Sequence, residues 1–195
     1  KINWIYPAKM KIMKTLELEP ILSLRREQIS EKKGVCVITV ENQQKGLLVA
    51  KDVLDKKVND KTVLFLSGGT TPRTLYEELA GEGVIRPAAV AMVDERLDIS
   101  NFEMIKKTGL INYLERYGIK FHPIIPEEFK NHLNGVWEVR GRSDSSEWFA
   151  NRYDSVVEKL LLDEKKEGIA IMGIGEDGHT AGIASKREDF NHSFY

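Results

Sequence analysis

The chain has 195 residues, 42% of them hydrophobic, with 29 basic and 30 acidic side chains and a net charge of −1. At roughly 150 residues per domain this predicts one domain over 1–195, large enough to bury a substantial core. The balanced charge argues against nucleic acid and an anionic membrane surface as partners, no apolar run approaches the roughly 20 residues of a membrane-spanning helix, and the lone Cys36 excludes an intrachain disulfide and a Cys-based zinc site.

That cysteine usage, with no charged-then-apolar signal after Lys1, predicts a reducing, cytoplasmic home. Residues 1–34 are read as an N-terminal extension. In it Trp4, Ile5 and Tyr6 are candidates for docking on the core, and Glu19-Pro20 opens a helix through Ile29. Val35 to Val40 is rich in β-branched residues and predicts a strand. Leu47, Ala50, Leu54 and Val58 recur at helical spacing. Thr62 to Leu66 is a short apolar run typical of a buried strand, broken by Ser67-Gly68-Gly69. A helix then opens at Pro72 and carries Leu75 and Leu79. Ala88 to Val93 predicts another buried strand, Phe102 to Tyr117 a helix, and Lys120 to Ile125 a strand closed by Pro126. Glu127 to Ser146 is the least regular stretch, a long loop or small excursion. Phe149, Tyr153, Val156 and Leu160 mark a further helix, and Gly168 to Ile174 the last strand. Continuous apolar strands alternating with amphipathic helices predict an α/β fold with a mostly parallel sheet covered on both faces.

Open α/β sheets bind ligands at the carboxyl ends of their strands, so three loops carry the interest. The first, Ser67-Gly68-Gly69-Thr70-Thr71-Pro72, joins a strand to a helix. Its glycines allow close backbone approach, Thr70 and Thr71 offer hydroxyls and a helix cap, and the helix start favours an anion. It reads either as a phosphate seat or as an ordinary capped turn; it is not a Walker loop, which needs Gly-Lys-Ser/Thr. The second, Asp94-Glu95-Arg96, holds either a functional carboxylate or a surface ion pair. The third, Gly173-Ile174-Gly175-Glu176-Asp177-Gly178-His179-Thr180, matches a dinucleotide string only formally, because Asp177-Gly178-His179 reads as a turn where that motif needs a helix start. His179 beside Asp177 is the better lead. An imidazole serves as a general base near neutral pH and a carboxylate orients it; the alternative is a loop histidine bonded to backbone. His122, His132 and His192 show no paired metal spacing.

Leu66 to Pro72 with Leu75-Tyr76, Val93-Asp94-Glu95-Arg96 with Ser100-Asn101, and Gly173 to Ala181 together resemble the 6-phosphogluconolactonase and glucosamine-6-phosphate isomerase/deaminase family, from about Val35 to Ala184. The resemblance implies a Rossmann-like three-layer sandwich, a sugar-phosphate ligand, and no metal or organic cofactor. It puts the phosphate on Ser67, Gly68, Gly69 and Thr70, with Thr71 and Arg73 as neighbouring candidates. His179 falls at the reacting end with Asp94, Glu95 and Asp177 around it.

Asp94-Glu95-Arg96 and Gly178-His179-Thr180 fit the lactonase branch. The deaminase branch carries Asp-Glu-Tyr and a glutamate five residues after the histidine, where this chain has Arg96 and Ala184. The expected reaction is therefore hydrolysis of 6-phosphogluconolactone in the pentose phosphate pathway. His179 draws a proton from water, Asp177 or Glu95 holds the imidazole, and Arg96 or the backbone N–H groups of Gly175 to Gly178 stabilise the oxyanion. Deamination and isomerisation of glucosamine-6-phosphate is the alternative; a noncatalytic sugar-phosphate binder and a Rossmann oxidoreductase rank lower. Two departures are noted. Only Leu97-Asp98-Ile99 separates Asp-Glu-Arg from Ser-Asn, and the family's later strands, helices and basic phosphate ligands are expected beyond Tyr195, so the C-terminal part of the fold is expected to be absent.

Overall fold

The computed structural model describes residues 29–32, 35–83, 85–96, 99–133, 136–139, 145–163, 166–181 and 183. The expectations for Trp4, Ile5, Tyr6 and Glu19-Pro20, and the positions of Leu97, Asp98, Ala184 and His192, lie outside these residues. By its internal contacts the chain divides after Val53 into two units.

In the first unit, β1 (Ile29–Lys32) and β2 (Val35–Ile38) pair antiparallel, with Ile29 opposite Ile38 and Lys32 opposite Val35. The stretch from Val35 is thus a strand, as its β-branched composition predicts, but not one of the parallel set. Only Lys33 and Gly34 separate it from β1, a spacing that suits antiparallel neighbours, whereas a parallel crossover needs about a dozen residues. Helix α1 (Gln43–Lys57) carries the chain across the division.

The second unit runs in the order β3 (Thr62–Leu66), α2 (Arg73–Glu82), β4 (Ala89–Met92), α3 (Asn101–Lys107), α4 (Leu110–Arg116), β5 (Phe121–His122), a 3₁₀ turn (Glu127–Phe129), β6 (Lys130–Leu133), β7 (Val136–Val139), α5 (Ser145–Leu161) and β8 (Glu167–Ile171). Strands β5, β4, β3 and β8, in that order, form an all-parallel sheet. This is the α/β class with a parallel sheet that the alternating pattern predicts, and it is consistent with the Rossmann-like sandwich that the resemblance implies. Val63, Leu64, Leu66, Val90, Ala91 and Met92 fill its centre, and Tyr76 and Leu79 of α2, Ile105 of α3 and Leu114 of α4 are buried with them. No helix among the described residues is long and apolar enough to cross a membrane.

The register matters most for function. Leu66 stands beside Met92 on one side and Ile171 on the other, so β3, β4 and β8 end level. Pairing even runs one residue further, with Ser67 N donating to Ile171 O (3.1 Å) and Val93 N to Leu66 O (2.9 Å). The three loops named above therefore leave the sheet along one edge.

Several boundaries differ from expectation. The helix expected over 102–117 is two helices, parted at Thr108-Gly109. Gly109 adopts a left-handed φ of 81°, which interrupts the ladder and which glycine alone takes readily. The strand expected over 120–125 shrinks to two residues because Pro123 offers no N–H to continue it. Where β5 stops, the phenol of Tyr153 takes over: its oxygen accepts from Met92 N (2.6 Å) and its proton goes to Met92 O (2.6 Å). Burial pushes that phenol up. The last strand stops at Ile171 rather than Ile174, and it is half-exposed, not buried: Glu167, Gly168 and Ala170 face solvent along the edge of the described sheet. The irregular stretch from Glu127 holds the 3₁₀ turn and the antiparallel pair β6–β7, the small excursion anticipated.

Candidate functional site

Loop one follows β3. Ser67 is buried and committed to the scaffold. Its hydroxyl accepts from Gly173 N (3.3 Å), and its carbonyl accepts from the Tyr76 hydroxyl (2.8 Å). Burial raises the Tyr76 phenol, so it stays protonated and remains a donor. A Cβ at Gly68 would stand 2.0 Å from Asn101 Oδ1, so only glycine allows the approach of this loop to α3. Gly69 turns the chain with a left-handed φ of 96°, and open space surrounds the position of its missing Cβ. Thr70 and Thr71 are exposed. Neither hydroxyl caps α2: the cap position is Pro72, with no side-chain hydrogen bond, and the threonines serve through backbone, Arg73 N donating to Thr70 O (3.3 Å). Among the described residues no side chain takes the N–H groups of Thr74 and Leu75, which leaves the first turn a natural place for an anion. Arg73 points its guanidinium along the helix to Glu77 (Nε to Oε1, 2.9 Å), an exposed pair.

Loop two separates the adjacent acids into different tasks. Glu95 caps α3. Its Oε1 accepts from Arg96 N (2.9 Å) and Asn101 N (2.6 Å), and its Oε2 from the Ser100 hydroxyl (3.2 Å) and Phe102 N (3.4 Å). Ser100 Oγ in turn accepts from Glu103 N (3.2 Å). These bonds satisfy the orphan N–H groups of the first turn. Asp94 is held instead by the Asn101 side chain, whose Nδ2 donates to Asp94 Oδ2 (3.1 Å) and Asp94 O (3.3 Å). Asp94 Oδ1 is buried without a hydrogen-bond partner. Burial, the largest influence, lifts this carboxyl above its ordinary value, against the Asn101 hydrogen bond and the Arg96 charge. Arg96 is exposed.

Loop three is a tight turn after β8. Gly175 N donates to His179 O (2.8 Å), Gly178 N to Gly175 O (2.9 Å), and Thr180 Oγ1 to Gly173 O (3.0 Å). Asp177 Oδ1 accepts from His179 N (3.2 Å) and lies in hydrogen-bond contact with His179 Nδ1. A Cβ at Gly175 would sit 2.2 Å from His179 Cε1, so that glycine makes room for the ring. The His179 bond is the first cause holding the Asp177 carboxyl below its usual value. An ionised Asp177 fixes the proton on Nδ1 and leaves Nε2 as the basic nitrogen. The imidazole side chain is 50% exposed, within reach of water.

The loops touch. Loops one and three join through Ser67 Oγ and Gly173 N, and a Cβ at Gly173 would lie 3.4 Å from Thr71 Cβ. Loops one and two join through Gly68 and Asn101. Sequence reasoning placed Asp177 and His179 together, as they are. It expected the adjacent acids to take different tasks without assigning which took which, and it gave no role to Asn101 or Tyr76. The Ser100-x-x-Glu103 spacing, a capping box, was the available signal that Glu95 sits on a helix start.

Fold and site define an α/β protein whose glycine-rich turn, half-buried acid and histidine turn gather at the carboxyl edge of a parallel sheet. The family model described as glucosamine-6-phosphate isomerases/6-phosphogluconolactonase matches residues 43–192, and the chain belongs to that family of sugar-phosphate enzymes. No curated protein and no solved structure matches the chain significantly.

Proposed function

We propose that the chain hydrolyses 6-phosphogluconolactone to 6-phosphogluconate, as a cytoplasmic enzyme of the pentose phosphate pathway that works without metal or organic cofactor. The observation that carries this reading is the His179–Asp177 pair, an oriented imidazole open to solvent. Nε2 takes a proton from water as the water oxygen bonds to the lactone carbonyl carbon. The tetrahedral oxyanion collapses, the ring C–O bond breaks, and the proton passes to the departing ring oxygen. General-base help contributes about 10²–10⁴ in rate and one oxyanion donor about 10²–10³, sufficient for a lactone that already opens unaided. Arg96 or the N–H groups of the Gly175–Gly178 turn supply that donor. Ser67 through Thr71 seats the phosphate, chiefly through backbone N–H groups and the α2 start, because the Ser67 side chain is buried. Arg96 in place of tyrosine, and Ala184 in place of the deaminase glutamate, support hydrolysis over deamination.

One observation favours the isomerase reading. Asp94, half-buried with an unpartnered oxygen, suits proton abstraction from carbon. Offering the two substrates separately decides. Coupled 6-phosphogluconate formation above the spontaneous rate upholds lactonase; ammonia release from glucosamine-6-phosphate overturns it; sugar-phosphate binding with neither product reduces the chain to a binder.

A further inference from the structure

Asn101 stands where the proposed phosphate turn and the half-buried acid meet. It is 4% exposed and is the first residue of α3, where the Glu95 carboxylate fixes its backbone (Asn101 N to Glu95 Oε1, 2.6 Å). Its side chain has no freedom. Nδ2 is spent on Asp94 Oδ2 and Asp94 O, and the Oδ1 end lies against Gly68 so closely that no Cβ fits there. Two donations from one amide fix both the side chain and the backbone of Asp94. They leave Asp94 Oδ1 as the one acceptor on that carboxylate without a partner. A buried, unsatisfied carboxylate oxygen is costly and is expected where a ligand or a proton comes to satisfy it.

We propose that Asn101 is a positioning residue. It holds the Asp94 carboxyl in place and locks the Gly68–Gly69 turn in register with it, so that seating a phosphate and placing the acid are one event. The inference rests on the reading of these loops as a sugar-phosphate site, not on which reaction the site performs. The charged and titratable groups facing Asp94 are Arg96 on its own loop and Tyr76 from α2, with Asn101 as the neutral donor from α3. Of these, the Asn101 hydrogen bond and the Arg96 charge favour the ionised acid.

The test reads Asp94 directly, by following its carboxyl carbon in a ¹³C NMR titration of the whole chain, assigned with Asp94→Asn. In the parent, the Asn101 side-chain amide protons should shift with the same midpoint as that carbon. Indifference of those protons overturns the proposal without any variant having to fold. Asn101→Asp, close to isosteric, removes the donor and adds a like charge, and should move the Asp94 midpoint to higher pH. Asn101→Ala should move it in the same direction by less. The acid limb of the kcat/KM profile should follow these midpoints, and activity at the optimum should fall roughly 10–100-fold from misplacement. A folded Asn101→Asp protein with parental titration and parental profile sinks the idea. If the parent turns over neither sugar phosphate, the proposed reaction fails while the titration still decides the role of Asn101.

Discussion

The two halves of the candidate site are built in opposite ways. The Ser67–Asp94–Asn101 half is largely buried and tied into the scaffold: Ser67 bonds Tyr76 of α2 and, 106 residues away, Gly173, and Gly68 packs against Asn101. The Gly173–Thr180 half is exposed and made almost wholly by its own residues: His179 bonds Asp177 two positions away, and Thr180 bonds Gly173 seven away. The first half ties the site into the core, so that changes there should be felt in stability as well as activity. In the proposed mechanism the second carries the chemistry on an exposed turn that the core scarcely needs, so changes there should be felt in activity alone.

His179→Ala should split these most sharply. Lactone hydrolysis above background should fall about 10²–10⁴-fold while the thermal midpoint stays near that of the parent, because the removed ring is exposed. Coupled product formation and calorimetry check the two parts; parental turnover would remove the general base from the account. Gly175→Ala leaves the imidazole in place but drives a methyl to 2.2 Å from Cε1, so the ring must move. A displacement of that kind should lower kcat/KM about 10²-fold, again with little change in melting.

Gly68→Ala is the counterpart in the buried half. Its methyl would meet Asn101 Oδ1 at 2.0 Å and Asn101 Cβ at 2.4 Å, and Asn101 is held by Glu95 and Asp94 and cannot yield. Overpacking of this sort costs about 1–3 kcal/mol, so the melting temperature should drop by several degrees and activity should fall with it. A variant with unchanged melting but reduced activity would place Gly68 with the histidine turn, erasing the contrast.

The same contrast explains what the sequence made legible. The parallel α/β class followed from runs such as Thr62–Leu66, whose apolar character is continuous, and the histidine turn followed from Asp177-Gly178-His179, because the bonds between Asp177 and His179 are local. What stayed hidden depends on partners far along the chain. Nothing near Ser67 announces that its hydroxyl would be taken by Gly173. Asp94 and Glu95 are indistinguishable as a dipeptide. Only the position of α3, which offers Glu95 a helix start and Asp94 the Asn101 amide, gives one a capping role and leaves the other beside the Gly68–Gly69 turn. Strand ends failed for similar reasons: Pro123 and the Tyr153 phenol, not local hydropathy, decide where β5 stops.

Asp94→Asn probes the buried half by pH. The carboxyl is raised in the folded chain by burial, so the folded state keeps its proton over a window in which the unfolded chain has lost it. Stability therefore declines as pH rises from the ordinary carboxylate value to the folded one, and stays lower above it. Asparagine cannot ionise, so the melting temperature of the variant relative to the parent should be higher at pH 7 than at pH 3. A difference that does not vary with pH would show that Asp94 is not desolvated. Activity should be lost in the same variant, the mark of an acid kept at a cost to stability.

Arg73→Ala should change least. Arg73 lies one residue past the Pro72 cap, yet its guanidinium is paired with Glu77 on the open face of α2, with the two side chains 60% and 42% exposed. Such a pair is screened by solvent and contributes about 0.5 kcal/mol or less, so melting should hardly move. KM for a phosphorylated substrate should stay within about twofold if the backbone N–H groups and the helix start hold the anion without it. A tenfold rise in KM is about 1.4 kcal/mol of binding, more than loss of a screened helix pair supplies. That result would mean Arg73 abandons Glu77 when substrate arrives, and would bring a surface side chain of α2 into the buried half of the site.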